Sequence, residues 1–202
     1  MLHRMTALMD TGRPVAVLFT EKEAESSSLL YCELIQKARF GESFLIKDQG
    51  CSVGAFVLGE SEKCPEDYYF ASGRYKDISS AKRAVAALPR LSKRKFSINI
   101  APYSGEKFNI LLLFLKPERA MRLVQAYTYS RGDPVEFSTG GIASVCSDCT
   151  AYPVHGKIGI SLGCKGSRKH SLYGDDELVV GIPFKLAMEI DDALGKIPGT
   201  LE

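Results

Sequence analysis

Two short apolar runs, Val15-Ala16-Val17-Leu18-Phe19 and Ile110-Leu111-Leu112-Leu113-Phe114-Leu115, constrain the fold more than any other feature of the sequence. Neither alternates polar with apolar residues, so each reads as a strand covered on both faces rather than as a half-exposed edge. The second is the longest apolar run in the chain, and it falls far short of the roughly 20 residues needed to span a bilayer. No membrane span is expected. Near the N-terminus Asp10, Gly12 and Arg13 interrupt any signal-peptide core, which predicts a cytoplasmic protein.

Around these runs, strand and helix signals interleave. Leu29, Leu30, Cys32, Leu34, Ile35 and Ala38 recur at helical spacing and stop before Gly41, a C-cap residue. Residues 78–88, 117–127 and 183–194 read as further helices, and residues 96–100, 157–162 and 177–181 as further strands. Residues 43–46 read as extended. Gly50 to Gly59 reads as a glycine-flanked turn around Cys51, and Val135 to Cys149 as an extended, glycine-rich stretch. The fold class predicted is α+β, a mixed sheet with helices, in one domain over residues 1–202. An offset of 95 lays Val15–Phe19 on Ile110–Phe114, Cys51 on Cys146 and Gly54 on Cys149. That predicts a pseudo-duplication with half-repeats 1–105 and 106–202, against the alternative of two coinciding apolar strands. A pseudo-twofold axis between such halves would bring Cys51 and Cys146 to face one another.

The chemistry lies in six cysteines: Cys32, Cys51, Cys64, Cys146, Cys149 and Cys164. In a reducing compartment, structural disulfides are the weaker account, which leaves metal binding, redox chemistry or burial. Cys146-Ser147-Asp148-Cys149 is a C-x2-C, which aims two thiolates at one ion because the backbone wraps around it, and Cys164 follows. The expected ligand set is Cys51, Cys146, Cys149 and Cys164. Cys32 is the reserve, replacing Cys149 if the C-x2-C points only one sulfur inward. His155 and His170 are nitrogen alternatives. Sulfur outnumbering usable histidine favours an iron–sulfur cluster, [4Fe–4S], with zinc as the alternative, serving electron transfer with a redox partner or structure. Cys64, before Pro65, lacks the companions of a ferredoxin motif and reads as an incidental surface thiol.

Two other classes stay open. In Gly163-Cys164-Lys165-Gly166-Ser167-Arg168, Cys164 is a candidate thiolate nucleophile beside Arg168, although no following helix is evident. The third class is a metal-free module for a small ligand or nucleic acid. The clusters Arg90/Lys93/Arg94/Lys95 and Lys165/Arg168/Lys169 would serve it, but a net charge of +2 and sparse aromatic interleaving argue against nucleic acid. No phosphate-loop or dinucleotide fingerprint is present.

Cys32 on a helix ending at Gly41-Glu42-Ser43-Phe44, Cys51-x2-Gly54-Ala55-x2-Leu58-Gly59, and Ser161-Leu162-Gly163-Cys164-x-Gly166-x-Arg168 with Asp176-Glu177-Leu178 and Gly181-Ile182-Pro183 form a distinctive set. Together they resemble the uncharacterised archaeal cysteine-rich family, domain of unknown function 169. The resemblance implies a cytosolic archaeal or bacterial cysteine-rich domain and supplies no reaction. It marks Cys32, Cys51, one or both of Cys146 and Cys149, and Cys164 as the positions to watch.

Overall fold

The computed structural model describes residues 2–198. Its strands are β1 (Val15–Thr20), β2 (Phe44–Ile46), β3 (Ser97–Pro102), β4 (Ile110–Leu115), β5 (Gly159–Ser161) and β6 (Leu178–Pro183), in one sheet of order β2-β3-β1-β4-β6-β5. Its α-helices are α1 (His3–Thr6), α2 (Tyr31–Arg39), α3 (Ser52–Val57), α4 (Glu66–Ala71), α5 (Ile78–Ala86), α6 (Pro117–Arg131), α7 (Lys165–Ser171) and α8 (Phe184–Leu194). A π-helix occupies Ser144–Ala151. The fold is α+β as expected. Within it all five strand pairings are antiparallel rather than mixed, and the one parallel contact is an isolated bridge between Glu25 and Ile46.

The two apolar runs are the two central strands, as burial on both faces requires. Val15, Val17, Ile110, Leu112 and Phe114 enter a core covered by α2, α3, α4, α5 and the π-helix. Ala16, Leu111, Leu113 and Leu115 enter a second core under α1, α6 and α8. At the centre Val15 pairs with Leu112, Ala16 with Leu111 and Val17 with Ile110, so an offset of 95 exchanges the strands and returns the same ladder. The symmetry extends outward. Val15 pairs with Pro102 as Ile110 pairs with Pro183, and Phe44 pairs with Ile100 as Gly159 pairs with Gly181. An approximate two-fold axis normal to the sheet therefore relates β1-β3-β2 to β4-β6-β5.

The helices follow this axis only on the first face, and there only in part, since α4 and α5 have no second-half counterpart. There α2 precedes β2 as the π-helix precedes β5, and α3 follows β2 as α7 follows β5. On the other face α6, begun by Pro117 and ended by left-handed Gly132, has no first-half counterpart. Inserting α6 shifts the correspondence beyond β4, so the equivalence of Cys51 with Cys146 expected at offset 95 does not hold. By position in the fold, Cys51 corresponds to Cys164 and Cys32 to Cys146.

Three further expectations change. The glycine-flanked stretch after Cys51 forms α3, residues 144–151 are helical, and α7 follows Cys164 where none was evident. These elements are too short to display helical periodicity, and two of them are capped by cysteine instead of the usual Ser, Thr, Asp or Asn.

The π-helix sits directly on the sheet because the cross-strand pair Gly159 and Gly181 carries no side chains. A Cβ at Gly181 would lie 1.8 Å from the Cys149 carbonyl oxygen, and one at Gly159 1.8 Å from that of Asp148. Gly181→Ala should therefore destabilise the protein by at least about 1–3 kcal/mol in urea unfolding, the range for overpacking a core. Gly166→Ala, whose nearest neighbour would be the Cys164 sulfur at 3.8 Å, should be close to neutral.

Candidate thiol site

Four elements on one face of the sheet each present a cysteine to one cavity of about 80 Å³. Cys32 lies in the first turn of α2, Cys146 in the first turn of the π-helix, and Cys51 and Cys164 are the N-cap residues of α3 and α7. The capping sulfurs accept backbone hydrogen bonds, Cys51 from Gly54 at 3.4 Å and Cys164 from Ser167 at 3.3 Å. The Ser167 hydroxyl in turn accepts from the Cys164 N–H at 3.0 Å, a capping box with sulfur in the capping role.

Polar side chains lock these elements together. The Gln49 amide oxygen accepts from both Cys51 N (2.8 Å) and Tyr31 N (3.2 Å), joining the starts of α3 and α2. The Ser171 hydroxyl donates to the Cys32 carbonyl at 2.8 Å, tying α7 to α2 across the pseudo-axis. Glu60 accepts from the Gln49 amide and pairs with the buried Arg94. Arg94 thus holds an internal position rather than a basic surface, and neighbouring Arg90 is stacked on Phe56 beside Glu62.

The remaining expected residues lie elsewhere. Cys149 is fully buried beyond the cavity wall, donating to the Val179 carbonyl at 3.2 Å, so the C-x2-C turns one sulfur inward and one into the sheet. Cys64 is exposed. Arg168 spends its guanidinium on the carbonyls of Leu162, Gly174 and Glu177 rather than on the Cys164 sulfur. His170 lies 3.7 Å from Glu33, and neither it nor His155 lines the cavity. Among the described residues, no three Cys, His, Asp or Glu side chains converge closely enough to hold one metal ion.

A model of the uncharacterised ArCR family, domain of unknown function 169, matches residues 5–192. The chain belongs to the ArCR family. It is similar to an uncharacterised protein of Methanocaldococcus jannaschii, 31% identical over 175 residues that cover 81% of this chain and 75% of the relative. No solved structure matches.

The cavity of this ArCR chain also contains residues that its sequence did not mark. Ser144 is completely buried, lines the cavity, and its hydroxyl completes no hydrogen bond of ordinary geometry. Ala143 before it takes the left-handed conformation at φ 51°, which turns the glycine-rich segment into the π-helix. The readable signals were the spacings Cys51-x2-Gly54 and Cys164-x2-Ser167, which place a backbone N–H on the cap.

Three of the cavity thiols, Cys32, Cys146 and Cys164, do not titrate alike. Burial pushes Cys32 up to about 11 against the opposing Ser171 hydrogen bond. Cys146 is held well above the ordinary thiol range, first by burial and then by the neighbouring thiols Cys51, Cys164 and Cys32. At Cys164 burial also raises the pKa, but hydrogen-bonding groups of Ser167 and Ser144 outweigh it and leave the thiol below its usual value. In metal-free protein Cys164 should therefore alkylate at lower pH than Cys32 or Cys146. Cys149, buried beside Asp148 with its pKa far raised, should be protected until the protein unfolds. Peptide mapping of alkylation against pH measures this, and equal labelling of Cys149 and Cys164 would contradict it.

Asp148 lies behind the cavity, accepting from the Thr139 and Ser161 hydroxyls at 2.7 Å each, and burial raises its carboxyl to about 6. An acid with a raised folded pKa stabilises the fold most when protonated. Its contribution should thus fall as pH rises from about 4 through about 6. Asp148→Asn should flatten the pH dependence of the urea midpoint across that window.

Proposed function

We propose that this protein holds a polynuclear iron–sulfur cluster, most simply [4Fe–4S], on Cys32, Cys51, Cys146 and Cys164. The observation that carries this is the convergence of four thiols from four separate elements on one cavity. Single-ion coordination needs all sulfurs about 2.3 Å from one centre, whereas a cubane takes one thiolate per iron and lets the sulfurs stand farther apart. A cavity of about 80 Å³ is several times the roughly 10–15 Å³ needed to admit one water, and so has room for a group of more than one atom. The donor set is soft sulfur throughout. The N–H groups of Gly54 and Ser167 hydrogen-bond to sulfur, an interaction that tunes cluster potentials, and the buried Ser144 hydroxyl approaches the Cys164 sulfur as a further donor.

A cluster there would supply one-electron chemistry with a redox partner, or rigidity by joining four elements. This assigns to Cys32 the place expected for Cys149. The competing nucleophile reading draws on the lowered pKa of Cys164, but Arg168 is committed to backbone carbonyls and gives that thiol no adjacent cation.

Anaerobic reconstitution with ferrous iron and sulfide should load about four irons and four sulfides per chain. Changing Cys32, Cys51, Cys146 or Cys164 to Ser should lower loading and the stability of the loaded protein together. Cys64→Ser should leave both unchanged, and Cys149→Ala should leave loading unchanged while lowering stability. Binding of zinc without sulfide, or loading in the Cys51 and Cys164 variants equal to that of the unaltered protein, would overturn the cluster.

A further inference from the structure

The open side of the thiol cavity is formed by α4 and the turn after it. Gly73, left-handed at φ 68°, ends that helix and brings Arg74 back over it. The guanidinium carbon lies 5.4 Å from the ring centres of both Tyr68 and Tyr69, and one of its nitrogens is 3.5 Å from the Tyr68 hydroxyl. All three side chains line the cavity together with the four thiols. Among the described residues no carboxylate pairs with Arg74, in contrast to Arg4, Arg39, Arg90, Arg94, Arg119 and Arg131, each of which meets an acid. On the buried side Ser144 brings its hydroxyl toward the Cys164 sulfur without completing a hydrogen bond of ordinary geometry. The lining therefore combines an exposed cation, a fully buried hydroxyl donor and four thiols.

We propose that Arg74 and Ser144 make this cavity a binding site for a small anion, about the size of a carboxylate or hydrosulfide, that is brought against the cysteine sulfurs. Arg74 supplies the charge selection and Ser144 a hydrogen bond at the inner end. The two tyrosine rings hold the guanidinium in place by cation–π contact, so its charge stays free for an incoming anion. A cavity of about 80 Å³ is too small to take a nucleotide or a peptide into its interior.

This inference stands on the metal-free protein and is separable from the cluster. The test compares iodoacetate, an anion, with iodoacetamide, its neutral counterpart, as alkylating agents of the cavity cysteines in metal-free Cys64→Ser protein. In both cases the thiolate sulfur bonds to carbon and iodide leaves. Modification is mapped by peptide mass spectrometry. The ratio of the two rates cancels changes in thiol pKa and in general access, and isolates recognition of the carboxylate. Arg74→Ala should lower that ratio several-fold, Arg74→Glu should lower it further, and Arg74→Lys should retain most of it. The difference between wild type and Arg74→Ala should shrink in 1 M salt, where the Debye length is about 3 Å. Ser144→Ala should lower the ratio by a smaller factor that salt does not remove. A ratio unchanged in both Arg74→Ala and Arg74→Glu, with circular dichroism showing folded protein, would overturn the anion site. That result would leave iron and sulfide loading untouched, just as failed loading would leave this ratio untouched.

Discussion

The antiparallel ladder between β1 and β4 is the constraint from which the rest of the architecture follows. Three pairs, Val15 with Leu112, Ala16 with Leu111 and Val17 with Ile110, put the approximate symmetry axis at the centre of the sheet. Because the axis is normal to the sheet, residues equivalent by the offset of 95 share a face, and both apolar strands serve the same two cores. The elements that carry thiols lie on the face of α2 and the π-helix, so equivalent cysteines approach one another around the axis. On the opposite face α6 and α8 close the second core and contribute nothing to the cavity.

Within that frame, the cysteine caps resolve two demands with one residue. A helix start leaves backbone N–H groups without partners, and Cys51 and Cys164 satisfy one each with sulfur. The same hydrogen bond favours the thiolate over the thiol, and at Cys164 the hydrogen-bonding groups outweigh burial. Cys32 and Cys146 lack such a cap and are raised instead. Cys164 thus differs in electrostatic kind from Cys32 and Cys146.

Much of this was legible in the sequence, and its limits have physical causes. The apolar runs announced the central strands because a strand buried on both faces cannot alternate. α2, α5, α6 and α8 were readable because each is long enough to repeat an apolar stripe, whereas α3, α4 and α7, of six or seven residues, are not. The correspondence at offset 95 held through the strands and failed at the cysteines, since α6 and the segment after it add residues that the first half lacks. The C-x2-C spacing placed Cys146 and Cys149 on one turn, but the wider pitch of a π-helix pointed Cys149 at the Val179 carbonyl. Gln49, Ser144, Ser171 and Arg74 were invisible, because their roles depend on partners brought near only by the folded sheet.

The origin of the thiols has a consequence for how the protein is made. Cys32 and Cys51 come from the first half of the chain and Cys146 and Cys164 from the second, and the ties between them run through Gln49 at one end and Ser171 at the other. During synthesis the first half emerges with two of the four cavity thiols and no closed cavity. The fourth wall arrives only after β5 has been made. Any group gripped by all four sulfurs would then close a loop over most of the chain and restrict the unfolded ensemble as a long-range cross-link does. Occupancy of the cavity would mark the moment at which both halves of the sheet are in place.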